Sequence, residues 1–211
     1  MDRWPNPRTV LAQIAGNVSL RGNPDYLSEL DEPMTGFIEA SESFVAVLRG
    51  LDPGLHVWDR VVLELSGPTP RLPQPAATVR RLTAADADAA ASLSEEIRWI
   101  AATLGGPVEL ARSELACGAF VASRLVSVAV PFYLGEHYED VGVVTEQAFR
   151  RRGLSTACAA AVAADIQARG RRASWTTSPD NTGSLGVAAR LGFRPVREDV
   201  LYLLRTPVPV M

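Results

Sequence analysis

The chain of 211 residues contains no lysine, so all 21 of its basic residues are arginine. That removes a lysine Schiff base and a Walker-type phosphate-loop lysine from the available chemistry. Cysteine is nearly absent too: Cys117 and Cys158 stand far apart in sequence. Two thiols make neither a disulfide framework nor a cysteine-rich zinc site, and they suit a reducing, cytoplasmic setting. Histidine occurs twice, and no metal is expected. No apolar run approaches the ~18 residues of a membrane-spanning helix, so no membrane partner is expected. The opening residues 1–7 lack the apolar stretch of a signal peptide. What is present is ordinary globular composition, 47% hydrophobic and 21% charged, which excludes wholesale disorder.

Charge is unevenly spread. Residues 1–70 carry a net −5 and residues 71–211 a net +2, within a chain of net −3. A net-acidic chain does not read as a general nucleic-acid binder. The stretch 67–75 holds four prolines in nine residues and blocks both helix and central strand. It divides the chain into an N-terminal extension at 1–70, a proline-rich linker at 71–77 and a C-terminal domain at 78–211. In the extension, Val10, Leu11, Ile14 and Val18 predict a helix over about 7–20. The Val/Leu-rich runs at 44–48 and 57–65 predict strands around a Pro53-Gly54 turn.

In the C-terminal domain a short strand at 78–82 precedes a capping-box start at Thr83, and helical segments follow to about 115. A hairpin at 118–133 turns at Ser123-Arg124, and a third strand covers about 139–145. An alanine-rich helix runs from Leu154 to about Arg169, with Leu154, Cys158, Ala161, Val162 and Ile166 as its apolar stripe. A strand at 173–177, a short helix at 184–191 and two final strands at 193–196 and 200–204 complete the pattern. On the stripe, Cys158 reads as core rather than as a nucleophile.

The junction Arg150-x-x-Gly153-x-Ser155 carries the chemistry. It joins a strand to a helix start, where free N–H groups and a partial positive charge of ~0.5 unit favour an anion. Glycine lets a phosphate approach the backbone. Arg150, Arg151 and Arg152 flank it, and Arg169, Arg171 and Arg172 follow the same helix, so positive charge gathers in an otherwise acidic chain. It is neither a Walker loop nor a Rossmann Gly-x-Gly-x-x-Gly.

These residues resemble the GNAT superfamily of acyl-CoA-dependent N-acetyltransferases. Arg150-x-x-Gly153-x-Ser155 is similar to its pyrophosphate loop, and Asn181…Leu191-Gly192-Phe193 to its later helix. The resemblance covers about 78–204. Trp175, Asn181, Ser184 and Ala188 look closest to the branch that contains antibiotic self-resistance enzymes. The resemblance implies an α+β fold: a mixed, mostly antiparallel central sheet flanked by helices, with the small N-terminal extension lying outside it. It implies acetyl-CoA as cosubstrate, bound by Val143, Val144, Thr145, Arg150, Arg151, Arg152, Gly153, Leu154, Ser155, Thr156 and Asn181. The backbone of Val143, Val144 and Thr145 would meet the pantetheine arm. Gly153 and the loop around it would hold the pyrophosphate, and Asn181 would lie near the thioester or cap its helix.

An alkylamine of pKa ~10 is mostly ammonium at neutral pH, so a base must take its proton, directly or through water. Glu139 stands eleven residues before Arg150, as the general-base glutamate does in the histone-acetylating members. Period-two alternation sets it on one face with Val141 and Val143. His137, Tyr138 and Glu146 are alternatives. A backbone N–H near Val144 would meet the oxyanion. Many members carry a tyrosine acid where this chain has Ala188, so Tyr202, Ser184 or water would substitute. Acceptor choice should come from the helices between Ala84 and Leu115 and from the 135–140 turn. The reading is a bacterial acetyltransferase acting on a small primary amine, and it allows a homodimer. The rivals are a non-catalytic acyl-CoA-binding or regulatory module, and an N-acetyltransferase for protein or aminoacyl acceptors.

Overall fold

The computed structural model describes residues 1–29, 34–73 and 75–209. The fold is α+β: mostly antiparallel open sheet flanked by helices. Two compact units divide it: residues 1–60 with 198–211, and residues 61–197. The expected division at 67–75 falls inside the second unit, and its linker residue Gln74 lies outside the described residues.

The first unit begins with a hairpin, β1 (Thr9–Ile14) and β2 (Asn17–Gly22). The helix expected over 7–20 is therefore corrected to two strands. Residues four apart share a face in a strand as well as in a helix, so Val10, Ile14 and Val18 fit both periods. Ala15-Gly16 decides between them. Both residues have positive φ, +48° and +76°, which is the two-residue turn that closes hairpins. β3 (Gly36–Glu39) pairs parallel to β2.

The run expected as a strand at 44–48 is α1 (Val45–Leu51) instead. Phe44 and Leu48, one turn apart, are both fully buried, and that outweighs the β-branched composition. β4 (His56–Glu64) follows, as expected. The chain ends in one continuous strand, β10 (Arg194–Leu204), where two were expected. Its end pairs antiparallel with β3. Leu20, Ile38, Phe44, Leu48, Tyr202 and Leu204 form this unit's core.

The second unit orders its strands β4–β9–β8–β7–β6–β5. β5 (Thr78–Arg81) leads through the Thr83/Asp86 capping box to α2 (Ala87–Ala91). Arg80 grips Asp86 with two 2.7 Å hydrogen bonds, holding its carboxyl well below the usual range. A 3₁₀ segment, Arg98–Leu104, and α3 (Pro107–Arg112) follow. β6 (Cys117–Val121) and β7 (Arg124–Leu134) make a hairpin whose turn residues, Ala122 and Ser123, both have positive φ. β8 (Tyr138–Thr145), α4 (Leu154–Ala168) and β9 (Arg172–Thr177) form a parallel crossover unit. α5 (Thr182–Leu191) precedes β10.

One face of this sheet packs on α4, with Val141, Cys158, Val162, Ile166 and Trp175 in its core. The other face packs on α2, the 3₁₀ segment and α3 through Leu93, Ile100, Leu110, Val130 and Val144. The proline-rich stretch is an extended crossing segment tied to α4. Gln167 donates to Gly67 C=O at 2.7 Å and accepts from Thr69. No described helix is long and apolar enough to cross a membrane.

Gly36 sits at φ +112° against the hairpin turn, where a β-carbon would lie 2.1 Å from Gly16 O. Phe37 N–H donates to that same oxygen at 2.9 Å. Gly36→Ala is expected to cost about 1–3 kcal/mol, read as a lower urea midpoint; an unchanged midpoint would contradict this hairpin geometry.

Candidate functional site

The main chain of β8 has a readable phase. Glu146 N–H donates to Val126 C=O at 2.9 Å, and the Ser127 hydroxyl donates to Val144 C=O at 2.7 Å. Even-numbered residues of β8 therefore turn their polar groups toward β7. Arg172 N–H donates to His137 C=O at 2.9 Å, so odd-numbered residues turn toward β9. Yet β8 pairs with β9 only at Tyr138–Arg172, Glu139–Ala173 and Asp140–Ser174. β8 keeps β7 out to Thr145, and β9 keeps β4 out to Thr177. The two strands part beyond Asp140. Val141 donates its N–H to Ser174 C=O as the last bond of the pair, so the opening receives the C=O of Val141, both main-chain groups of Val143 and the N–H of Thr145. Val144 turns its N–H toward β7, so an oxyanion donor on this edge belongs to Val143 or Thr145 rather than to Val144.

The loop after β8 runs on from the same edge. Arg151 (φ +62°) and Gly153 (φ +77°) turn the backbone sharply ahead of α4. Gly153 is the N-cap and brings no side-chain cap, so the first N–H groups of a 15-residue helix lack a side-chain acceptor. A β-carbon on Gly153 would meet nothing within 4 Å. An uncapped helix start beside open space fits a phosphate or diphosphate.

The arginines divide their work. Arg150 Nε donates to Thr145 C=O at 3.3 Å, and its guanidinium pairs with Glu96. It braces the loop. Arg152 lies 5.0 Å over the Phe149 ring and donates to Ala148 C=O. Arg151 is exposed and forms no ion pair among the described residues. Arg169, Arg171 and Arg172 serve the other end of α4, ~22 Å away. They pair with Glu139, Asp165 and Glu64. The expected gathering of six arginines around the loop is thus reduced to three.

A hydroxyl chain ties the loop to the sheet. Ser155 Oγ lies 2.7 Å from Thr145 Oγ1, which lies 2.7 Å from Ser127 Oγ. A carbonyl can only accept, so Ser127 spends its proton on Val144. Thr145 must then donate to Ser127, and Ser155 to Thr145. Every proton points inward. Ser155 is left with its backbone N–H, not its hydroxyl, to offer an anion. Leu154 and Thr156 are buried beside it.

Glu139 shares its face with Val141 and Val143, as alternation predicts. It is 0% exposed, and Arg169 and Arg171 each take one of its oxygens at the C-terminal end of α4. Glu146 accepts Ser94 N–H at 3.0 Å. Tyr138 OH accepts from Arg172, and His137 is an exposed turn residue. Asn181 caps α5 by accepting Ser184 N–H at 3.0 Å. Ser184 Oγ accepts the Trp175 indole N–H at 2.9 Å, leaving its own proton to give. Tyr202 belongs to the first unit's core at 4% exposure; burial, then Glu42 and Asp199, raise its phenol pKa. Ala188 is fully buried. Cys158 is buried core, its thiol pushed up by the neighbouring Cys117 thiol and by burial. Among the described residues no cluster of His, Cys, Asp or Glu could hold a metal.

One charged residue on β8, Asp140, entered the sequence reading only as the end of the 135–140 turn. Asp140 follows Glu139 and so faces the opposite side, with Gly142 and Val144. Its Oδ1 accepts from Ser174 Oγ at 2.9 Å and Thr176 Oγ1 at 3.1 Å. The alternation that places Glu139 against α4 was the signal that could have found it.

Comparison with known proteins bears on the family and the fold. The family profile of the GNAT acetyltransferases matches residues 74–202. A Streptomyces virginiae protein, described as an uncharacterized N-acetyltransferase in the mutA 5′ region, is 38% identical over 172 residues, covering 80% of this chain and 73% of that one. The crystal structure of a GCN5-related N-acetyltransferase-like protein from Streptococcus suis superposes with a TM-score of 0.74 at 18% identity, covering 95% of this chain and 85% of that one. A GNAT-family acetyltransferase structure from Novosphingobium aromaticivorans gives a TM-score of 0.65 at 19% identity, with 95% and 89% covered. At these identities the two structures speak for the fold alone.

The hydroxyl chain is testable by itself. Thr145→Val removes the middle link and should lower stability by about 1–2 kcal/mol, whereas Ser155→Ala, at the open end, should cost less than about 1 kcal/mol. Urea midpoints of the two variants check this; the reverse order would contradict the inward proton direction.

Proposed function

We propose, from the premise that this chain belongs to the GNAT acetyltransferase family, that it moves an acetyl group from acetyl-CoA to a small primary amine. One observation carries the reading: the uncapped start of α4 at Gly153 is tied through Ser155 and Arg150 to the end of β8, whose β9-side edge is unpaired beyond the Asp140–Ser174 pair. When bound, acetyl-CoA supplies an acetyl group activated as a thioester.

The chain's own groups fall into order along that edge. The backbone N–H groups of 153–156 hold the diphosphate, aided by the helix dipole and by Arg151 and Arg152. Arg150 keeps the loop on the end of β8. Val141, Val143 and Thr145 receive the pantetheine amides as a neighbouring strand would. Val143 or Thr145 N–H polarises the acetyl carbonyl. Asn181 fixes the start of α5 and with it Ser184, whose hydroxyl has a proton to give the departing sulfur. Glu139, held by two guanidinium groups on the α4 face, supports an anchoring role. The proton of the amine is assigned to water in the opening. The extension at 1–70 lies outside the matched residues 74–202, and we assign it an accessory role.

Gly153 separates strain from charge. Gly153→Ala meets open space and carries only the penalty of a positive φ, about 1–2 kcal/mol. Gly153→Asp tolerates that φ better but sets a carboxylate against the diphosphate. Calorimetric titration with acetyl-CoA should show a loss of at most about tenfold for alanine and more than about a hundredfold for aspartate. Equal affinities of wild type and the aspartate variant would overturn the loop assignment. Release of free thiol with a panel of amines, absent without acceptor, tests the transfer itself.

A further inference from the structure

We infer that Asp140, with an aromatic wall formed by Trp99, Phe132 and Tyr133, is the acceptor subsite, and that it selects a cationic amine with an aromatic or apolar body. The inference rests on the reading of the β8 edge as the acyl-CoA groove and adds the chemistry of its other substrate.

β8 and β9 part just beyond Asp140. Asp140–Ser174 is the last pair before the opening. A chain laid along the β8 edge from the start of α4 passes Thr145, Val143 and Val141 and ends beside Asp140. Asp140 faces away from α4, so its carboxylate stands on the side an acceptor can approach without crossing the groove. It is half-buried, and Ser174 and Thr176 on β9 both donate to its Oδ1.

The wall beside it is aromatic and partly open. Tyr133 is the cross-strand partner of Asp140, and the register shift between Pro131 and Tyr133 makes Phe132 the bulged residue. Phe132 packs edge-on against Trp99 at 5.5 Å and against Tyr133 at 5.0 Å. Trp99 is 50% exposed and Tyr133 37%. Gly142, two residues beyond Asp140 on the same face, brings the wall close. A β-carbon there would lie 3.1 Å from Ile100 Cδ1 and 3.2 Å from Phe132 Cβ. A side chain at this position would press Ile100 and Phe132 back by a few tenths of an ångström, so glycine favours the close seat of the 3₁₀ segment that carries Trp99.

A carboxylate facing exposed rings is the pairing that recognises a cation with an apolar body. The charge meets the ammonium, and the ring faces meet both the cation and the body. A neutral molecule of the same shape gains only the second contact. Trp99 and Asp140 come from separate stretches of chain, one from the helical segments and the other from the end of the 135–140 turn.

The test uses the full chain saturated with CoA, so that nothing reacts. Benzylamine is the probe and benzyl alcohol its neutral counterpart, with binding followed by calorimetry and tryptophan fluorescence. Wild type should bind benzylamine at least tenfold more tightly than benzyl alcohol. Asp140→Asn should lose at least tenfold for benzylamine and less than twofold for the alcohol. Trp99→Ala should weaken both several-fold. Asp140→Glu should recover part of the loss, and all variants should keep wild-type acetyl-CoA affinity. Benzylamine affinity within twofold of wild type in Asp140→Asn would overturn the inference. So would a wild type that does not distinguish the amine from the alcohol, or loss of acetyl-CoA binding in Asp140→Asn. Failure of the wild type itself to bind acetyl-CoA would instead overturn the groove reading beneath it.

Discussion

Everything about this site depends on backbone groups that the sheet declines to pair. A strand inside a sheet normally spends its N–H and C=O groups on both neighbours. β8 spends one side on β7 along its length and stops spending the other after the Val141 N–H. The first turn of α4 repeats the pattern, since its N-cap is a glycine with no acceptor to offer. Two runs of unmet main-chain donors, one on a strand and one on a helix, thus follow each other along the chain. An extended ligand with amides at one end and phosphates at the other satisfies both.

Rigid support for those donors comes from side chains that never reach the ligand. Ser127, Thr145 and Ser155 pass their protons inward, which locks the loop to β7 and β8 without competing for an anion. Arg150 takes the last carbonyl of the edge. At the far end, Glu139 gathers Arg169 and Arg171 and closes α4 onto the sheet. Two adjacent acidic residues on one strand therefore do opposite work. Glu139 points inward and holds the crossover helix, and Asp140 points to the other side. The pleat alone makes that difference.

The C-terminal architecture was legible because its signals are local and agree with one another. The Thr83 capping box, the alanine-rich stripe of α4, Asn181 as an N-cap and Gly192 as a helix stop each declare themselves within a few residues. The extension was not. Its apolar residues fall at spacings that serve both helix and strand, and only the positive φ of Ala15-Gly16 separates the two. Phe44–Leu48 shows the reverse: valines suggested a strand, while burial of Phe44 and Leu48 on one helical face decided otherwise. The anion loop was visible as Arg150-x-x-Gly153-x-Ser155, but the division of labour among its arginines was not. Which guanidinium finds a carboxylate depends on residues as distant in sequence as Glu96 and Glu64. Asp140 was legible only as the end of the 135–140 turn, for a similar reason: its face matters only once the wall from Trp99 and Phe132 is in place.

Residue-resolved hydrogen exchange of the backbone amides, with and without acetyl-CoA, tests the central claim most directly. Slowed exchange is expected at Gly153, Leu154, Ser155 and Thr156 and at Val143 and Thr145, with Val141, already donating to Ser174, and Gly142 and Val144, already turned to β7, unchanged. Protection of the even-numbered β8 amides instead, or of neither the strand edge nor the start of α4, would contradict it.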